Sequence, residues 1–307
     1  MGTGSDAVVE PQFRRYIDPQ GRVFEHAYVD HGSADLAVHF SAFFGGWTEA
    51  RRYRETFGGY FHRLKMLGTC PDRNWLFLCD SHGVERNGCY YLGERGDLFV
   101  QRAMLEIIRS TMAQRGDLPE RVVTVGSSMG ATAAITLALL LDLRGVVAIS
   151  PHIDLDTSAR MQGREAHVAF AVADGETQSP TNHPITRQIR ALVEEREPER
   201  PLPRLFVQSC TDDVGVHHEQ VEPLLSSWRA KGGACWLDER PSGGHTSDWA
   251  TRPLLLDVIA SLRSGEPPDV RSYQSDPIFA GGLMRPPFSH RMRGRVSRSM
   301  KSLGLRR

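Results

Sequence analysis

The sequence carries no net charge: 37 Lys and Arg balance 37 Asp and Glu over 307 residues. A chain without a positive excess is not built as a whole to hold nucleic acid electrostatically, and none is expected as a partner. Cysteine is scarce. The five present (Cys70, Cys79, Cys89, Cys210, Cys235) are widely spaced, odd in number and form no C-x-x-C pair. That excludes a disulfide framework and predicts reduced thiols in a cytoplasmic protein. The first fifteen residues lack the apolar core of a secretory signal. No apolar run reaches membrane-span length, and the longest, Ala131 to Leu141, reads as a buried helix. Internal repeats are absent as well. Acidic residues are missing from Met284 to the end, where Arg285, Arg291, Arg293, Arg295, Arg298, Lys301, Arg306 and Arg307 gather. This tail reads either as a solvated extension or as a contact for an anionic membrane surface or a protein.

What is present is 40% hydrophobic and 24% charged, the composition of a globular domain. Leu36–Phe40, Trp75–Cys79, Arg121–Val125, Gly145–Ile149, Arg204–Gln208 and Ala234–Leu237 read as strands. Helices are expected over Asp97–Met112, Ile185–Glu197, a stripe carrying Val221, Leu224, Leu225 and Trp228, and Thr251–Leu262. Alternating strands and helices predict an α/β fold with a mostly parallel central sheet flanked by helices. The expected organisation is an N-terminal extension over 1–30, an α/β domain over 31–264 with a lid-like insertion at 154–203, and a Pro-containing basic tail over 265–307. A homo-oligomer is compatible with these features.

The chemistry concentrates at Val125-Gly126-Ser127-Ser128-Met129-Gly130, where an apolar strand runs through G-x-S-x-G into an alanine-rich helix. This order puts Ser128 on a sharp strand-to-helix turn, its hydroxyl above a sheet and beside a helix N-terminus. A serine hydroxyl is a weak nucleophile and needs a base, with an acid to orient the base. Two later strands supply both. One runs into Thr211-Asp212-Asp213, the other into Gly243-Gly244-His245.

These motifs, in this order, resemble the α/β-hydrolase superfamily from about Leu36 to Leu262. The resemblance implies a serine-dependent acyl hydrolase (an esterase or thioesterase) with an acyl-enzyme, no metal and no organic cofactor. An acyltransferase or a non-catalytic interaction protein is the alternative. It implies Ser128 as nucleophile, His245 as base and Asp212 as acid, with Asp213, or an acid elsewhere such as Asp154, as the open alternatives. It implies an oxyanion hole from the N–H groups of Met129 and Phe43, with Phe44 the neighbouring choice for the second. Phe44, Trp47 and His82 are pocket candidates. A small-molecule or glycan acyl ester or thioester is the implied substrate. A narrower resemblance rests on an early F-S-x-F segment, the G-S-S-x-G turn and Ser150-Pro151-His152-Ile153. These are similar to hydrolase-like proteins of capsular-polysaccharide loci, the XcbB/CpsF type, and imply a role in surface-glycan biosynthesis. His217-His218 invites a metal reading. Adjacent histidines rarely face the same way, so a solvated helix start is expected there instead.

Overall fold

A computed structural model describes residues 9–43, 61–172 and 183–270. Within them eight strands form one sheet: β1 (Gln12–Ile17), β2 (Val23–Val29), β3 (Leu36–Phe40), β4 (Asn74–Leu78), β5 (Val122–Ser127), β6 (Gly145–Ile149), β7 (Arg204–Cys210) and β8 (Cys235–Arg240). The spatial order is β1-β2-β4-β3-β5-β6-β7-β8. The β1–β2 and β2–β4 pairs are antiparallel, and every later pairing is parallel. The longer helices are α1 (Phe99–Arg115), α2 (Met129–Leu141), α3 (Leu155–Gln162), α4 (Glu165–Val172), α5 (Gln188–Glu194), α6 (Glu222–Ala230) and α7 (Arg252–Ser264).

The parallel strands read as continuous apolar runs because both of their faces are covered. Alternate residues divide between two cores. Val38, Leu76, Val146 and Leu205 face one, with α1, α2, α5 and α6. Trp75, Val123, Val147 and Phe206 face the other, with α7. Helix α2 is apolar all round, and Met129 through Leu139 are buried, as expected of a helix enclosed by its neighbours.

The sheet begins earlier than expected. Residues 12–29, read from sequence as an extension, form β1 and β2. The sequence signal was weak because β1 alternates exposed with half-buried residues and carries Arg14 and Arg15, the pattern of an edge strand. Residues 154–203 connect β6 to β7 and include α3, α4 and α5. The basic tail beyond residue 270 lies outside the described residues. No described helix is long and apolar enough to cross a membrane.

Candidate active site

The carboxyl ends of the parallel strands converge on Ser128. This residue has φ 53° and ψ −123°, a left-handed conformation that a non-glycine residue adopts only when its surroundings force it. The force comes from close packing of β5 against the start of α2. A Cβ on Gly126 would stand 2.1 Å from the Gly130 carbonyl oxygen. A Cβ on Gly130 would stand 2.4 Å from the Phe40 oxygen and 2.8 Å from the Ser41 oxygen. Both glycines are therefore required by backbone contact. Gly130→Ala is expected to destabilise the protein by about 3 kcal/mol or more, since the clash is with main chain that no rotamer change relieves. Urea denaturation measures this, and a loss below about 1 kcal/mol would contradict the packing argument.

Ser128 Oγ lies 2.8 Å from His245 Nε2, and His245 Nδ1 lies 2.8 Å from Asp213 Oδ2. An ionised carboxylate only accepts, so Nδ1–H donates to Asp213. This leaves Nε2 free to accept the Ser128 hydroxyl proton. Asp213 is buried, and its other oxygen accepts from Gln162 Nε2 on α3 at 2.9 Å. Ser128 is half-buried and His245 retains about 20% side-chain exposure, so both are reachable from solvent.

The expectation of Asp212 as partner of His245 is corrected: Asp213 occupies that place. Asp212 accepts the N–H groups of Gly243 at 2.9 Å and Gly244 at 2.8 Å. It fastens the glycine turn that carries His245. Adjacent residues leaving a strand point in different directions, so one carboxylate takes the backbone of the loop and the other its side chain. Asp154, the more distant alternative, caps α3 by accepting the Thr157 N–H.

Met129 opens α2, and the N–H groups at a helix start have no acceptor within the helix. The Ser128 N–H is taken by the Ile149 carbonyl at 2.8 Å, while the turn's next N–H, that of Met129, has no acceptor among the described residues. Phe43 follows β3, and its ring and the Met129 side chain both reach Gly88: a Cβ there would lie 2.5 Å from Met129 Sδ and 3.5 Å from the Phe43 ring. The Phe43 ring packs edge-on against Tyr90 and His167, under the Arg164 guanidinium at 4.6 Å. Phe44 and Trp47 lie outside the described residues. His82 is not brought to Ser128. Its ring stacks on Phe24 and meets Phe99 edge-on, at β2 and α1, with β4 and β3 between β2 and β5. Aromatic packing at that end of the sheet, not a substrate, accounts for its place.

Sequence reasoning missed His152 as a site residue. It is fully buried after β6, and its ring stacks on His245 with centroids 4.7 Å apart and an interplanar angle of 20°. Its Nδ1 meets the Tyr90 hydroxyl at 3.0 Å, and its carbonyl accepts from Thr132 Oγ1 at 2.7 Å. Burial, aided by the positive field of His245 and Arg164, holds the ring neutral, well below the ordinary histidine range. A neutral flat ring beside His245 limits how far that imidazole can tilt. The available signal was position: His152 stands at the carboxyl edge beside the β5 turn, where α/β sheets gather their functional residues. Ser150 Oγ adds a further tie, donating to the Thr246 carbonyl at 2.9 Å.

The fold is that of the α/β-hydrolase-like proteins, and comparison with solved structures agrees. The chain is similar to acylaminoacyl peptidase of Pyrococcus horikoshii, with a TM-score of 0.63 and 14% identity over 87% of this chain and 44% of that one. It is similar to the capsule O-acetyltransferase of Neisseria meningitidis serogroup A, with a TM-score of 0.56 and 15% identity over 82% of this chain and 92% of that one. A third likeness is to the glycosylation-associated Gap123 complex of Streptococcus agalactiae, with a TM-score of 0.60 and 17% identity. It covers 82% of this chain but 45% of that one, so this chain corresponds to under half of the Gap123 chain and of the peptidase. No protein-family model and no curated protein matches the sequence.

Proposed function

We propose that this protein is a serine-dependent acyl hydrolase, an esterase or thioesterase, that works through an acyl-enzyme on Ser128. The observation that carries the proposal is the unbroken hydrogen-bonded chain Ser128–His245–Asp213, with both links at 2.8 Å. In the first half-reaction His245 Nε2 takes the Ser128 proton as Oγ attacks the acyl carbonyl. Asp213 holds the imidazole in the tautomer this needs and stabilises the imidazolium that forms. The tetrahedral oxygen accepts from the Met129 N–H and a donor on the loop after β3, assigned to Phe43. The imidazolium then protonates the leaving alcohol or thiol. In the second half, water gives its proton to His245, attacks the acyl carbon and releases the acid while Oγ regains its proton.

A fluorophosphonate probe tests the assignment because it reacts only with an activated serine. Labelling is expected in the wild-type chain and is expected to vanish in Ser128→Ala, with esterase turnover falling by about 10⁶-fold. A wild-type protein with neither labelling nor turnover would overturn it in favour of a non-catalytic interaction role, and undiminished turnover in Ser128→Ala would move the nucleophile to another residue.

Acyl transfer is the second reading. It is favoured by the likeness to the capsule O-acetyltransferase, which extends over 92% of that protein and includes a form of it solved with CoA. The same acyl-enzyme serves either outcome, and a sugar hydroxyl takes the place of water. Incubation with acetyl-CoA and a polysaccharide acceptor separates them: acetyl groups appear on the glycan in one case and as free acetate in the other. Residues 154–203 and the basic tail are assigned to substrate access and surface contact in this scheme.

A further inference from the structure

The segment that follows Asp213 departs from ordinary helix geometry. His217–Val221 is a π-turn, closed by the Glu222 N–H donating to the His217 carbonyl. A π-turn is a costly local departure that frequently accompanies a functional site. Here it has a specific consequence. A helix sets residue i+4 over residue i, whereas a π-turn sets i+5 over i. Glu222 therefore stands over His218 and over His217 together. Its Oε2 lies 3.1 Å from His218 Nδ1 and its Oε1 lies 3.7 Å from His217 Nε2. The rule that adjacent histidines face apart fails at this one place, because the widened turn lets one carboxylate span both rings.

Strand β8 brings a second carboxylate. Glu239 Oε2 lies 3.5 Å from His217 Nε2. Glu239 pairs directly with Ser209 of β7, and Ser209 Oγ lies 2.8 Å from His217 Nδ1. The buried His217 ring is thus held by a hydroxyl at one nitrogen and presents the other to two glutamates.

We propose that His217, His218 and Glu222, with Glu239 beside His217, form a binding site for a divalent transition cation of the zinc class. One ligand atom each from His217, His218 and Glu222 falls within a 4.8 Å span. The His218–Glu222 and His217–Glu222 separations of 3.1 and 3.7 Å lie either side of the edge of about 3.3 Å that a tetrahedron with zinc–ligand bonds of about 2.0–2.1 Å requires, and the widest of the three spans, within 4.8 Å, shortens as a cation is bound. Two imidazoles and carboxylate oxygens suit a borderline cation better than magnesium or calcium, which prefer all-oxygen sets. On binding, the Ser209 hydroxyl accepts from His217 Nδ1–H and fixes the tautomer whose Nε2 lone pair is a ligand, as outer partners of metal-bound histidines do. The cation ties the turn after β7 to β8. These two elements carry Asp213 and lead to the His245 loop, so the site braces the acid and base without touching the substrate.

The test uses the full chain, stripped with a chelator and titrated with Zn²⁺ by calorimetry, beside a His218→Ala/Glu222→Gln variant. Both altered side chains are about half exposed. Folding of the variant is judged by its melting curve, so the outcome does not depend on whether Ser128 is a nucleophile. If the double variant melts early, Glu222→Gln alone is used. One Zn²⁺ per chain is expected in the wild type, with a raised melting temperature, and Co²⁺ in its place is expected to give a d–d spectrum of low coordination number. The variant is expected to lose this binding by at least about tenfold. Equal Zn²⁺ affinity and stoichiometry in the two proteins, or no Zn²⁺ binding by the wild type, would overturn the site.

Discussion

Asp213→Asn is expected to lower turnover of a chromogenic ester by about 10⁴-fold, while Asp212→Asn leaves the reaction within about tenfold of wild type. The difference follows from what each carboxylate accepts. Asp213 is the acceptor for His245 Nδ1–H. An amide in its place can present its NH₂ group to that nitrogen, which then has to accept. The ring proton moves to Nε2, and a protonated Nε2 cannot take the Ser128 proton. Folding should be little affected, since Asn fills the same space. Asp212 accepts two glycine N–H groups, and an Asn there keeps one acceptor oxygen. The His245 turn loosens by the worth of about one charge-assisted hydrogen bond, about 1.5–3 kcal/mol, felt mostly as stability. Steady-state kinetics and urea denaturation on both variants check the pair. A larger catalytic loss in Asp212→Asn would return the acid role to that residue.

Stability is expected to fall steeply as pH drops below about 6.5, well before the carboxylates titrate. Among the described residues, four histidines are shifted far below the ordinary range: His26, His39, His62 and His152. Burial is the first cause of a lowered pKa in each. His26 is brought to about 4 and His62 to about 3, while His39 and His152 lie well below the ordinary value. His39 has no hydrogen-bond partner on either ring nitrogen, so nothing there compensates a proton. The direction follows from proton counts. Between the folded pKa and the unfolded value near 6.5, the unfolded chain binds protons that the folded chain does not. Stability is complete above about pH 6.5 and is lost as pH falls toward about 3–4. Each histidine contributes a slope of about 1.4 kcal/mol per pH unit in that window. Against a total stability of about 5–15 kcal/mol, four such groups acting together should unfold the protein near pH 5. Melting curves from pH 8 to pH 4.5 measure this, and a melting temperature unchanged between pH 7 and pH 5 would contradict it. His39→Phe, roughly isosteric and unable to titrate, should flatten the curve by one histidine's share.

The sequence alone determined a good deal. Apolar runs of four to six residues, spaced by helical stripes, made the parallel sheet legible because strands covered on both faces carry no polar alternation. Ser128 was legible for a related reason. Two glycines at fixed spacing between a strand and a helix leave few geometries, and the contacts of Gly126 and Gly130 with main chain show why. Four decisions belonged to the tertiary structure. The choice between Asp212 and Asp213 turned on which adjacent carboxylate faced a loop 32 residues away. The place of His152 against His245 depended on β6 lying beside β5. The joining of His217 and His218 to one carboxylate depended on a π-turn, which no hydropathy pattern announces. The edge strand β1 could not be read because exposure gives it no apolar signature, and β2 joins the sheet only through its pairing with β1 and β4. Covalent spacing and burial write local geometry into the chain, whereas the meeting of side chains from distant segments is set by packing that has no counterpart in sequence distance.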